Sequence, residues 1–326
     1  MNISYLTYPW AYFTPGGGEI QLNKLYVNIK KRGINIKKFN QWDPEINSDI
    51  YHFFSCMGGS LDFCNYLKNL GKKLVVSASL WITADKVNEY NIDQIRLQLL
   101  IADLIIVNSK KEIIQLSKVL NINQEKFRVV YNGFESNLLT KREDSYRESS
   151  LIPKEWKNNY VLCLANIERR KNQKILLEAC KLNNLKLILA GHIRESDYFE
   201  SLDLDNNQFV KYIGYVENSS EEFIDLFKNS KCFVLPSTLE TPGLAALEAA
   251  ALKTPLIITK EGSAEEYFGD IKTYYDGKKG DVQELSSLLK KILNNPSDGI
   301  VSKNQIKKFT WERCSNSQIN IYEELI

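Results

Sequence analysis

The sequence predicts an α/β protein made of two similar, doubly wound halves. Three observations carry that expectation. Short apolar runs of strand character recur along the whole chain and alternate with helical patterns, as in parallel βαβ units. One polar, poorly periodic stretch, 135–159, with KREDSYRESS at its centre, interrupts the alternation, which then restarts. The length, 326 residues, suffices for two domains. The expected division is 1–150 and 151–310, with a final amphipathic helix over 311–326 free to pack back on the first domain. Ligands of open α/β sheets collect beyond the carboxyl ends of the strands, so a central cleft between the halves is the expected working surface.

The first half opens with a strand over 2–8. Pro15-Gly16-Gly17-Gly18-Glu19 follows closely, a glycine loop ahead of a helix over 19–32. Such a loop lets backbone N–H groups approach a phosphate, although it departs from the G-x-G-x-x-G dinucleotide pattern. The helix carries Ile20, Leu22, Leu25, Val27 and Ile29, with Lys24, Lys30, Lys31 and Arg32 on its outer side, and Gly33 ends it. Further strands are expected at 35–39, 50–54, 73–77, 104–108 and 128–131, with helices at 61–70, 93–102 and 110–120. In the second half, strands are expected at 160–165, 185–190, 210–213, 232–235 and 256–259. Helices fit 172–182, 221–228, 242–251, 264–268 and 282–293.

Composition is that of an ordinary soluble globular protein, 44% hydrophobic and 25% charged, with a net charge of +2. The charge is unevenly spread. Residues 1–150 hold 19 Lys+Arg against 15 Asp+Glu, while the remainder hold 23 against 25. A mildly basic first half is compatible with a membrane surface or an anionic acceptor, and no nucleic-acid partner is expected. Cys56, Cys64, Cys163, Cys180, Cys232 and Cys314 show no C-x-x-C spacing, which fits a reducing compartment better than a disulfide framework. With no signal-peptide pattern and no apolar run of about 18 residues, the expectation is a cytoplasmic protein, at most peripheral to a membrane.

The stretch from Lys231 to Ala250, KCFVLPSTLETPGLAALEAA, organises the rest. A buried strand leads through a short polar loop into a helix, with Thr241 expected at the N-cap and Pro242 at the first helical position. A helix start leaves unpaired N–H groups and a partial positive charge, so this corner suits an anionic or hydroxyl-rich ligand. Two carboxylates frame it, Glu240 and Glu248. Glu248 lies two turns into the helix, a rise of about 10 Å. That is too wide for a retaining glycosidase pair at about 5 Å, and it suits gripping two parts of one extended ligand. Glu248 shares a face with Leu244, Leu247 and Ala251, so it is expected in apolar surroundings, where a carboxylate needs a partner.

These residues resemble the retaining glycosyltransferases of the GT-B fold, family four (group 1). The E-x7-E spacing of Glu240 and Glu248 carries the resemblance. It is supported by ANIERRKNQ over 165–173, Gly191, Ile213-Gly214-Tyr215-Val216 and GSAEEY over 262–267. In the first half the glycine loop, Ala102-Asp103, Asn108-Ser109 and Asn132-Gly133 follow in the family's order. The resemblance implies two Rossmann-like domains, the first binding the acceptor and the second a nucleotide-diphosphate sugar of UDP or GDP type. Glu248 would accept hydrogen bonds from the ribose, and Glu240 would hold donor-sugar hydroxyls beside the N–H groups of Gly243 and Leu244. Lys171 and Arg170 would neutralise the leaving diphosphate, which Gly17 and Gly18 would approach. The base would lie against Gly214, Tyr215 and Val216, near His192. The implied reaction is front-face transfer of a hexose-type sugar with retention. It needs no cofactor and no metal, and it acts on a glycan or lipid-linked glycan of bacterial surface polysaccharide such as O-antigen or capsule. Asp203-Leu204-Asp205, a D-x-D pattern in a polar loop, reads as coincidental.

Two departures stand against the family pattern. Asn166 occupies the place of a usual Arg, so a phosphate contact is missing or comes from Arg169 or Arg170. The region where many members carry a first-domain His reads Ser77-Ala78-Ser79-Leu80-Trp81, and His52 reads as a structural core residue. These departures keep a non-catalytic partner subunit open as an alternative. A nucleotide-sugar epimerase on the same fold is another, since fold alone does not fix function.

Overall fold

In the computed structural model of the protein, residues 1–13, 15–44, 46–140 and 150–326 are described, apart from the side chains of 84 and 85. Most of KREDSYRESS therefore lies outside the described residues. The chain forms two compact units, Met1–Gly133 with Phe309–Ile326, and Phe134–Lys308.

The first unit runs β1 (Asn2–Leu6), α1 (Gly17–Lys31), β2 (Asn35–Lys38), β3 (Ile50–Phe54), α2 (Leu61–Asn69), β4 (Lys73–Ser77), α3 (Ile92–Ile101), β5 (Leu104–Val107), α4 (Lys110–Leu120) and β6 (Phe127–Val129). Its sheet is parallel in the order β2-β1-β3-β4-β5-β6. The second unit runs β7 (Tyr160–Leu164), α5 (Gln173–Leu182), β8 (Lys186–Ala190), α6 (Ser196–Glu200), β9 (Val210–Tyr212), α7 (Glu221–Lys228) and β10 (Cys232–Leu235). It continues through α8 (Leu244–Ala251), β11 (Leu256–Thr259), α9 (Ala264–Phe268), β12 (Tyr274–Tyr275), α10 (Val282–Asn294) and α11 (Lys303–Ile306). This sheet is also parallel, in the order β12-β11-β10-β7-β8-β9. Strands β7, β10 and β11 are buried along their whole length, as their unbroken apolar runs require of strands covered on both faces.

The second sheet starts in its middle at β7, grows outward through β8 and β9, then crosses back to β10. That reversal sets the loops after β7 and β10 side by side, the place where open α/β sheets hold ligands.

Helix α12 (Trp311–Glu323) belongs to the first unit and packs on α1. A buried polar network pins it. The His52 ring nitrogens hydrogen-bond the Tyr322 hydroxyl at 2.5 Å and the Ser77 hydroxyl at 2.8 Å, and Tyr322 donates to the Tyr5 hydroxyl at 2.9 Å. Burial pushes the His52 pKa down to about 3, so the ring is neutral and structural.

Several elements depart from the sequence reading. The stretch 135–159 is expected as a linker with little core, yet Leu138, Ile152 and Trp156 are buried, and the second unit begins ahead of it, at Phe134. Helix α8 starts at Leu244 instead of Pro242. The Thr241–Pro242 peptide is cis, and Gly243, at φ 85°, takes the cap position that the sequence assigns to Thr241. The short elements β12, α6 and α11 have too few residues to show a period. All six cysteines are buried and free.

Candidate active site

The loop after β7 supplies the cations. Glu168 leads into a single 3-10 turn, Arg169–Lys171, and Asn172 closes it in the left-handed region at φ 54°, which Asn tolerates better than most residues. The Asn172 amide donates to the Pro236 carbonyl at 2.9 Å and the Gly277 carbonyl at 3.2 Å. The Arg170 carbonyl accepts from Thr238 N at 2.8 Å. A backbone bond and the Asn172 side chain thus tie the loop after β7 to the loop after β10.

Lys171 and Glu240 meet across that seam. The Lys171 ammonium donates to Glu240 Oε1, and both residues are buried, at 7% and 5% exposure. Burial pushes the Glu240 carboxyl up, but the charges of Lys171 and Arg170 outweigh it and hold the group below its ordinary value. Glu240 stays an anion because two cations face it.

The backbone around Glu240 is clamped. Its N–H donates to the Glu261 carbonyl at 3.1 Å, and its own carbonyl accepts from Ser263 N at 3.0 Å. That carbonyl would lie 2.1 Å from a Cβ at Gly262, which explains a glycine there. A Cβ at Gly243 would stand 3.1 Å from Glu240 Oε2 and 2.7 Å from a Leu235 methyl. The Glu240 carboxylate therefore lies over the start of α8, beside Gly243 and Leu244, as expected for an anion at a helix N-terminus. About one turn into α8, instead of the two turns expected from a start at Pro242, Glu248 is buried at 7% exposure and accepts from the Asn218 amide at 3.1 and 3.4 Å. Asn218 is the partner a buried carboxylate needs, and it comes from a different loop.

The loop after β8 adds a flat surface. Gly191 is required because a Cβ there would come within 2.0 Å of the Ala165 carbonyl. The His192 and Tyr215 rings stack at 4.2 Å between centroids and 12° between planes, and both are exposed. Gly214 accepts from Gly191 N at 2.9 Å, and Val216 is buried beneath.

Arg169 is committed elsewhere, to Glu195 and Asp197. Arg170 pairs with buried Glu168 at 2.8 Å, and Arg194 lies 3.7 Å from the other Glu168 oxygen. Asn166 presents its backbone carbonyl to Gln173 Nε2 at 2.8 Å. Sequence reasoning missed Glu168, Arg194 and Asn218. Glu168 and Arg194 belong to loops that only strand order brings together, and Asn218 stands in a polar run with no spacing signal.

Gly17 and Gly18 belong to the first unit, and they form the opening turn of α1 instead of a loop ahead of it. Among the described residues, beyond their own helix backbone and chain neighbours, nothing lies within 4 Å of the point a Cβ would occupy at either glycine. The Glu19 carboxylate already accepts from Gly16 N at 2.7 Å at that helix start. Asp203 and Asp205 are exposed in the turn after α6.

A buried Lys–Glu pair beside a helix start, with a second carboxylate about one turn into that helix and stacked rings nearby, at the switch point of a doubly wound sheet, is the layout of a group 1 glycosyl transferase. Residues 143–309, just over half of the chain, match that family, and the chain belongs to it. Its fold is the GT-B fold. Among solved structures, Anabaena Alr3699/HepE in complex with UDP and glucose superposes over 99% of both chains, with a TM-score of 0.75 at 18% identity. Among curated relatives, an uncharacterized glycosyltransferase of Methanocaldococcus jannaschii is 25% identical over 230 residues, covering 64% of this chain and 57% of the relative. The O-antigen chain mannosyltransferase B of Escherichia coli is 29% identical over 179 residues, covering 51% of this chain and 46% of that protein. The chain thus spans about half the length of the curated relatives it matches.

Proposed function

We propose that the protein is a retaining glycosyltransferase that moves a hexose-type sugar from a nucleotide-diphosphate sugar to a hydroxyl of a glycan in surface polysaccharide assembly. The observation that carries this reading is the buried Lys171–Glu240 pair at the switch point, with Glu248 in α8, the helix that follows Glu240. Glu248 accepts from the ribose hydroxyls, exchanging or sharing its Asn218 contact. The His192–Tyr215 stack faces the base, above Gly214 and Val216. Glu240 holds hydroxyls of the donor sugar, with the N–H groups of Gly243 and Leu244 beside it.

As the bond from the anomeric carbon to the phosphate oxygen breaks, negative charge collects on the diphosphate. Lys171, with Arg170 at its side, meets that charge in a site already organised to hold it. The acceptor oxygen bonds the anomeric carbon from the face the diphosphate leaves, and its proton passes to a phosphate oxygen. The configuration is retained and no covalent enzyme intermediate forms. These cations carry the charge that a metal ion carries in other transferases, so the proposed reaction is metal-independent. The mannosyltransferase relative supports a surface-glycan acceptor, and the UDP and glucose bound in the Anabaena protein support a nucleotide-sugar donor. We place the protein in the cytoplasm, in peripheral contact with the inner face of the membrane, where a lipid-linked acceptor is reached.

The test is incubation with a panel of UDP- and GDP-sugars, with and without glycan acceptors, followed by mass analysis. Slow release of free nucleotide, speeded by an acceptor that gains a sugar, supports transfer. Interconversion of sugar nucleotides points to an epimerase, and inert binding points to a partner subunit.

A further inference from the structure

The loop after β1, the outer side of α1 and the end of β2 form one surface of the first unit. Segment 7–43 holds Lys24, Lys30, Lys31, Arg32, Lys37 and Lys38 against two carboxylates, Glu19 and the exposed Asp43. The Glu19 carboxylate is occupied by Gly16 N and the Tyr8 hydroxyl. Large apolar side chains stand out beside the cations: Trp42 is 88% exposed, Phe13 86%, Trp10 52% and Val27 44%.

Lys38 joins the pieces. Its ammonium lies 5.5 Å from the Tyr12 ring centroid and 5.4 Å from that of Tyr26, and it donates to Asn23 Oδ1 at 2.6 Å. The Tyr12 hydroxyl donates to the same oxygen at 3.2 Å. Phe13 follows Tyr12 directly, and Trp42 stands four residues beyond Lys38. Lys30 lies 5.7 Å from the Tyr26 ring, carrying the positive surface along α1.

Isolated exposed side chains need no explanation, but aromatic prongs among cations on neighbouring segments mark an interaction surface. A glycan site calls for a pocket with convergent polar groups, whereas the polar groups here, Lys38, Asn23 and Tyr12, already bond one another. Protruding aromatic rings among lysines match a bilayer interface, where rings settle at headgroup level and cations meet anionic lipid. We infer that this surface docks the protein on an anionic lipid membrane, with Phe13 and Trp42 entering the interface and Lys30 and Lys31 facing the lipid phosphates. The inference deepens the proposed membrane contact and is independent of the donor chemistry, since nucleotide release is assayed in solution on the same preparation.

The experiment is flotation of the full chain with vesicles of phosphatidylcholine alone and of phosphatidylcholine mixed with phosphatidylglycerol, alongside tryptophan emission. Binding to the mixed vesicles alone is expected, weakened by salt and accompanied by a blue shift that Trp42→Ser diminishes. Lys30→Ala with Lys31→Ala should lower partitioning roughly thirtyfold, at about 1 kcal/mol per lysine near the surface. Phe13→Ser with Trp42→Ser should lower it at least about tenfold. These side chains already face water, so circular dichroism and melting temperature should not change. Equal partitioning into both vesicle types, or none, overturns the inference. So does a blue shift produced by soluble oligosaccharide without vesicles, which would assign the surface to glycan.

Discussion

Removing the Lys171 side chain should expose two separable roles. In Lys171→Met the Glu240 carboxylate stays buried but loses its closest cation. Breaking a buried pair from one side costs about 3–5 kcal/mol. Half-exposed Arg170 remains nearby and keeps the loss towards the lower end. For a domain of this size, each kcal/mol moves the melting temperature by about 2–4 °C, so a fall on the order of 10 °C is expected. The pH dependence supplies a signature. In the native protein the Glu240 pKa lies below its ordinary value, so its stabilisation is present above that value and lost as pH falls through the lowered one. In Lys171→Met the raising effect of burial prevails, the folded state takes up the proton more readily, and the variant's deficit should shrink on acidification. The double variant Lys171→Met with Glu240→Gln removes both charges of the pair and should regain most of the stability. It should not regain turnover, because the charge meeting the leaving diphosphate, worth about 100–1000-fold for one such group, is still missing. Urea unfolding at several pH values and nucleotide-release assays on all three proteins give the answer. A Lys171→Met protein as stable as the parent, or a double variant with restored turnover, would refute the reasoning.

Glu248→Ala should weaken UDP or GDP binding by about 1.5–3 kcal/mol, the worth of a hydrogen bond to a charged group; unchanged affinity in calorimetry removes the ribose role. Tyr215→Ala should cost about 1 kcal/mol of nucleotide affinity, the scale of ring stacking, with little effect on melting temperature because the ring is already 55% exposed. A chelator such as EDTA should leave turnover unchanged; loss of activity restored by a divalent cation overturns metal independence. His52 has its pKa lowered from 6.5 to about 3, so the unfolded chain binds a proton that the folded one refuses between those values. Stability attributable to it should therefore fall as pH drops below 6.5, at up to about 1.36 kcal/mol per pH unit, and His52→Gln should lose that slope in acid unfolding titrations.

The site was legible where its chemistry is local. Glu240, Glu248 and the Arg170–Lys171 pair stand in short motifs whose spacing follows from a strand, a turn and a helix. The pairing of Lys171 with Glu240 was not legible. The two residues are 69 positions apart, and they meet because β10 returns to lie against β7. The same holds for Asn218 and Glu248, and for His52 and Tyr322, 270 residues apart. Thr241 had the chemistry of an N-cap, yet Gly243 took the position, with the Glu240 carboxylate lying over it. Arg169 had the charge of a phosphate ligand, and Glu195 and Asp197, at the start of α6, hold it.

By itself the sequence determined the alternation of buried strands and amphipathic helices, since apolar periodicity is written residue by residue. It also determined which side chains carry charge at the corner after β10. Tertiary structure alone decided which charges face one another. Strand order within the sheet, set by the packing of helices on both faces, determines which loops become neighbours, and an ion pair has meaning only once its partner is in place.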